Sequence, residues 1–213
     1  MKTPYSYADE ELQDLKQFVS AKFHNAANVM SFDEVNITDS KALVLSLYKE
    51  LTSQNKKVFE RVAKKSYKAT IEEVGTEPKD WFDIATLIAI LLKRYHPITQ
   101  YKYSSEVERK RDRFMESMLS ATDDVSFRNS FNSAASRWFD QSRQYTDFAV
   151  AEGRKQALKD AGVKYVKWQA EKDERTCEEC RALDGQIFKI DEVPEIPMHR
   201  RCRCWLVPVL DRQ

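Results

Sequence analysis

Before Cys177 the chain has no cysteine, and glycine and proline are nearly as sparse, 4 and 6 in 213 residues. So few turn formers argue against a turn-rich fold and suit a helical protein. Net charge is also missing: Lys+Arg 35 against Asp+Glu 34 leaves +1. That excludes a global attraction to nucleic acid or an anionic membrane, so any such binding must come from a local patch. The longest apolar run, at 84–92 in DIATLIAILLKRY, is far short of the roughly 20 residues that span a bilayer. The opening MKTPYSYADEELQ has no apolar core and does not read as a signal peptide. Folding is therefore expected in a reducing cytoplasm, where paired cysteines mean metal more often than disulfide. No Gly-rich phosphate loop, Ser/His/Asp set or HExxH motif occurs.

What is present is a folded composition, 42% hydrophobic and 32% charged, arranged with helical periodicity. Leu12, Leu15, Phe18, Val19 and Phe23 predict a first helix over about 9–30. Thr38, Asp39 and Ser40 offer N-caps to a long helix carrying Leu43, Leu47, Leu51, Val58 and Val62, which Gly75 ends. Thr76-Glu77-Pro78 is expected to start another, since proline is tolerated in a first turn. Its core face is Trp81, Ile84, Leu87, Ile88, Leu91 and Tyr95, and Pro97 stops it. Further helical regions cover about 104–120 and 125–160, the second with room for a break. There Phe127, Phe131, Ala134, Trp138, Ser142, Tyr145 and Ala149 form one stripe, read as bundle core rather than a ligand pocket. Gly162 is the expected C-terminal cap.

After Gly162 the character changes. VKYVKWQA reads as a strand, LDGQIFKI as an Asp-Gly turn and a second strand closing one hairpin, and CRCWLVPVL as a third. The expected fold class is α+β, predominantly α: a long-helix body at 1–161 and a small β-rich module at 162–213, held by zinc.

All four cysteines and one of the 3 histidines fall within 177–204. Cys177-x-x-Cys180 has the spacing of half a tetrahedral zinc site. Two sets complete it. His199-x-x-Cys202 repeats the first spacing and gives Cys₃His; Cys202 and Cys204, two apart on a strand, point to one face and give Cys₄. The four-cysteine set is preferred because it leaves no free thiol, with Arg175, Arg181, Arg200, Arg201 and Arg203 offsetting its charge and His199 beside it. A structural zinc has a purpose here: some fifty residues of hairpin and loop bury little apolar surface, and such a site supplies on the order of 10–16 kcal/mol in zinc-finger peptides. Reduced, unligated thiols and disulfides are the competing readings. Asp173 and Glu174 read as turn acceptors or arginine partners rather than catalytic carboxylates, since a cysteine-rich set of four is closed. His24 and His96 stand alone without partner ligands.

These residues carry a resemblance. The run KYVKWQAEKDERTCEECRALDGQIFKIDEVPEIPMHRRCRCWLVPV resembles the C-terminal signature of the Mu F-like family of phage head-morphogenesis, or minor capsid, proteins. Trp168, Asp173, Glu174, Cys177, Cys180, Leu183, Asp184, Gly185, Pro197, His199, Cys202, Arg203, Cys204 and Pro208 match it. Arg200 departs from it, standing where the family usually has proline. The match covers about 146–209, and the helical body carries no assigned motif. The resemblance implies a non-enzymatic, low-copy virion protein, assembled in the host cytoplasm and acting at the portal vertex. Its partners would be the portal or other head proteins and, weakly, packaged DNA, with no membrane.

For DNA the sequence offers a basic stripe, Lys57, Arg61, Lys64 and Lys68, on one helix face, with Arg109, Lys110, Arg111 and Arg113 as a second cluster. Nearby Glu60, Glu106 and Glu108 also fit an ordinary solvated face. The alternative functional class is a zinc module that binds nucleic acid, against which the near-zero net charge counts. An enzyme is a further alternative, since Mu F-like modules are sometimes fused to toxin domains.

Overall fold

The computed structural model describes residues 3–34, 37–78, 83–96 and 98–210. Five helices build the body: α1 (Asp9–Val29), α2 (Ile37–Val74), α3 (Ile84–Lys93), α4 (Tyr103–Leu119) and α5 (Asp124–Asp160). The tail adds β1 (Tyr165–Gln169), α6 (Glu178–Leu183), β2 (Ile187–Lys189) and β3 (Trp205–Val209). The fold is predominantly α with a small antiparallel sheet, as the periodicities predict.

Asp9, Glu10 and Glu11 open α1, where carboxylates favour the positive end of the helix dipole. Its Leu12, Leu15, Val19 and Phe23 are buried. Along α2 the residues Leu47, Leu51, Val58 and Val62 are buried too. Gly75 ends it at φ +75°, with the Gly75 and Thr76 N–H groups both donating to Ile71 O. Only glycine takes that conformation freely. Thr38, Asp39 and Ser40 do not cap α2 from outside: the helix already begins at Ile37, and Ser40 is buried within its first turn.

The start of α3 also departs from expectation. Thr76, Glu77 and Pro78 are exposed and non-helical, and Asp83 is the cap. Its carboxylate accepts from Ala85 N–H at 2.9 Å and from the Thr86 hydroxyl at 2.5 Å. A carboxylate satisfies free N–H groups at a helix start; a proline in the first turn only tolerates their lack of partners. Ile88 and Leu91 are buried, but Tyr95 lies past the end of the helix and is 64% exposed. The Lys102 ammonium sits 5.3 Å from its ring centre. Trp81 and Pro97 fall outside the described residues.

A capping box, in which Asp123 and Ser126 bond each other's backbone N–H, starts α5. The helix then runs 37 residues without a break, about 55 Å. Every residue of its expected stripe, Phe127 to Ala149, is buried. Small side chains let α5 lie close to α2. Ser66 Oγ donates to Val150 O at 2.8 Å, and a Cβ on Gly153 would stand 2.3 Å from Ala63 O.

Gly162, at φ +75°, turns the chain out of α5 into β1. The sheet order is β2-β1-β3, both pairings antiparallel, with Tyr165 opposite Lys189 on one side and Val209 on the other. The expected Asp-Gly hairpin is not the connection. The link from β1 to β2 contains α6, which no apolar period marks, and Asp184-Gly185 ends that helix instead. Val166, Trp168 and Leu206 are buried on the inner face with Leu158 of α5. Trp168 turns its N–H and C=O to the β2 side, so Leu206 and Pro208 turn theirs to the outer edge of β3. That edge is closed to further pairing: Arg154 takes the Leu206 carbonyl at 2.6 Å, and Pro208 has no donor.

Two large buried clusters result, one among the helices and one between the end of α5 and the tail, with a small third of Tyr67, Ile71 and Ala157. Arg154 crosses between them. Besides Leu206 O, its guanidinium reaches Thr70 Oγ1 at 3.1 Å and both oxygens of Glu73 at 2.7 and 2.9 Å. The Tyr5 hydroxyl adds a second tie, donating to Cys204 O at 2.7 Å.

Candidate metal centre

Four thiols and one imidazole meet where α6, the loop before β3 and the N-terminal turn converge. Cys177 is the N-cap of α6, its sulfur accepting from Cys180 N–H at 3.3 Å. One helical turn thus fixes both sulfurs of the Cys-x-x-Cys pair. The other donors come from a turn in which Cys202 N–H donates to His199 O at 3.2 Å, and from Cys204 at the threshold of β3.

Two triads form, Cys177–Cys180–His199 and Cys180–Cys202–Cys204, sharing Cys180. His199 Nε2 lies 3.2 Å from Cys177 Sγ and 3.1 Å from Cys180 Sγ, and the Cys180 and Cys202 sulfurs are 3.8 Å apart. His199 Nδ1 stands 2.9 Å from Arg200 O. A carbonyl can only accept, so Nδ1 carries the proton and the Nε2 lone pair faces the sulfurs. That is the tautomer a metal-binding histidine needs.

The protons are unevenly held. Hydrogen bonding from Cys204 lowers the Cys202 thiol to about 5, against the effect of burial. Burial holds Cys180 up at about 12. Cys204, donating to Cys202 and buried, is raised as well. The donor set fits a thiophilic cation: sulfur and imidazole nitrogen are the usual ligands of zinc, and within each triad the donor atoms all lie within 4.8 Å of one another. A bound cation would displace the remaining thiol protons.

The surrounding signature residues brace this centre. Asp173 receives Arg203 through two bonds of 2.6 Å and the Arg175 N–H at 3.0 Å, and Arg203 holds its carboxyl well below the usual range. It is thus the arginine partner expected; Glu174 is exposed and makes no such contact among the described residues. Asp184 accepts from Ala170 N–H at 2.9 Å, and Gly185, at φ +82°, donates to Trp168 O at 2.8 Å. Leu-Asp-Gly therefore ties the end of α6 back onto β1. Sequence reading missed this tie and the Arg154 joint. The available signal for the joint was a cation at helical spacing from Val150, Ala157 and Leu158.

The candidate DNA residues Lys57, Arg61, Lys64 and Lys68 are all exposed on α2. Arg61 is engaged: its Nε lies 2.8 Å from Glu11, which Lys65 also reaches at 2.9 Å. Of the second cluster, Lys110 is bonded to Arg137 O and Arg111 to Asp112. Arg109 lies over the Tyr101 ring. No helix among the described residues is long and apolar enough to cross a membrane.

A helical body carrying a small sheet clasped by a Cys/His cluster is the class of protein these observations define. Residues 130–207 match the family model described as Phage Mu protein F like protein, so this part of the chain is similar to that family. The family is the one the C-terminal signature resembles. The match begins inside α5, upstream of the cysteine-rich tail. Neither the curated proteins nor the solved structures supply a significant match.

Proposed function

We propose that the chain is a minor head protein that acts at the portal vertex during phage head assembly, in a structural rather than enzymatic role. The observation that carries this reading is the family match, which takes in most of α5, the sheet as far as Val207 and all the candidate ligands. The portal or another head protein is the working partner. DNA is secondary, held weakly by the exposed Lys57, Lys64 and Lys68, with Arg61 already shared with Glu11. A net charge of +1 supplies no long-range pull on a polyanion. Co-purification with phage heads tests the assignment. The protein is expected in purified heads and in sediment with procapsids; its absence from both, or tight binding to free DNA at physiological salt, overturns it.

The Cys/His cluster in this reading holds one structural zinc through Cys177, Cys180 and Cys202, with either Cys204 or His199 as the fourth ligand. The ion would cross-link α6 to the loop before β3, and all four positions would be filled by protein, leaving none for substrate. Protein purified without chelator is expected to carry about one zinc per chain. Zinc well below that level, with all four thiols titrating freely, counts against it. Loss of zinc in Cys204→Ser but not in His199→Ala would make Cys204 the fourth ligand, and the reverse result would make it His199.

A further inference from the structure

We propose that the groove beside the Cys/His centre is a docking site for an acidic polypeptide segment, an interaction that goes beyond the head-assembly role. The groove encloses about 760 Å³ between the N-terminal turn, α5 and the loops around 171–175 and 199–203. Arg143, Arg175, Arg200 and Arg201 line it. Arg143, Arg200 and Arg201 are exposed, and their side chains have no ion pair or hydrogen bond among the described residues. Arg175 has only a 3.4 Å contact to Asp173, whose two oxygens Arg203 already holds. Four guanidinium groups are thus available to an incoming anion.

The turn that presents two of them is informative. Arg200 and Arg201 form the tip of the His199–Cys202 turn, and Arg201 has φ +59°. Glycine or asparagine adopts that left-handed conformation at lower cost than a long side chain. Backbone energetics alone do not call for arginine there, so the contribution of the position lies in its guanidinium.

The choice between anions follows from the groove's other residues. Asp9, Asp147 and Glu171 line the same walls. A phosphodiester chain carries charge at every unit and would meet these carboxylates along its length. A polypeptide can set its carboxylates against the arginines and offer backbone N–H groups to the acids. The basic groups are arginines apart from the candidate ligand His199, with no lysine, and the planar fork matches carboxylates through paired bonds. A concave groove of this size takes a few residues of extended chain, not a duplex.

The test uses the 213-residue chain purified without chelator and three probes: a fluorescein-labelled Glu/Ser peptide, an oligodeoxythymidine of equal length, and inorganic phosphate. The peptide is expected to bind at physiological salt. Arg200→Glu with Arg201→Glu should weaken it by about tenfold or more, and so should Arg143→Ala alone, which leaves the turn untouched. Lys41→Glu with Lys49→Glu, exposed and outside the groove, should not. Circular dichroism establishes that each variant is folded. Absence of peptide binding overturns the proposal, as does binding that ignores both sets of arginine changes. Oligodeoxythymidine or phosphate binding tighter than the peptide, and lost with the same arginines, would make the groove a phosphate site instead. Absence of the protein from heads would leave these results unaffected.

Discussion

His96 illustrates how far one side chain's surroundings can reverse an ordinary reading. It is not a helix residue but the hub of the turn between α3 and α4. Its Nδ1 accepts from the N–H groups of Ile98 and Thr99 at 3.1 and 3.3 Å. The ring is buried, with centres 5.0 Å from Tyr145 and 4.5 Å from Phe148. Burial, helped by the charges of Arg200 and Arg94, lowers its pKa to about 4. The neutral ring is the one the fold requires, so its contribution to stability is complete above about pH 6.5, where the unfolded residue is also neutral. That contribution is lost as the pH falls toward 4. His96→Gln keeps an acceptor but does not titrate. The difference in urea midpoint between the two proteins should therefore shrink or invert from pH 7.5 to pH 4.5; parallel profiles would show that His96 is not the titrating group. A lone histidine in a sequence gives no hint of this, because the two N–H donors and two rings come from the turn and from α5.

Between elements, α2 and α5 approach closely at Gly153, where a Cβ would meet the backbone of Ala63. Gly153→Ala would improve helix propensity by roughly 0.5–1 kcal/mol. It would also drive a methyl group against Ala63 O, which belongs to the α2 main chain and cannot swing aside. Overpacking of this kind costs about 1–3 kcal/mol. A net fall in urea midpoint is expected, with the larger effect on the body, and an unchanged or higher midpoint would mean that the helices separate freely. The helices themselves were largely legible: apolar spacing located α1 and α5 to within a residue or two, together with the length of α2 as far as Gly75, because burial of a stripe is a local pattern. Less legible were the elements set by polar contacts. The start of α3 depends on the Asp83 carboxylate, and α6 depends on a sulfur cap, and neither leaves an apolar period.

Across the molecule the question is how strongly the tail depends on the body. The helical cluster of buried residues contains none from the tail. The second cluster combines Cys180, Cys202 and Cys204 with Trp168, Leu206 and Leu158. Cys177→Ser with Cys180→Ser removes both sulfurs of α6 and should expose the tail to protease while most helicity survives by circular dichroism. Global loss of helix would show that Arg154 and Tyr5 make one cooperative unit of the two clusters. Arg154 is 4% exposed, and its bonds to Glu73, Thr70 and Leu206 O span α2 and β3. A buried cation so fully committed is costly to leave unpaired, which gives the two parts a fixed relation.

The sequence by itself determined the helical body, the three strands, the clustering of all the thiols and the family signature. Each of these is written in local periodicity or in spacing along the chain. Only the tertiary structure decided which donors face one another. His199 Nε2 is turned toward Cys177 and Cys180 by the carbonyl of its neighbour, and Cys204 is paired with Cys180 and Cys202. The structure likewise brought Arg143 to Arg200 and Arg201, and placed Arg154 beneath β3. Spacing states what a segment can reach; which group meets it depends on how segments far apart in the chain are packed together.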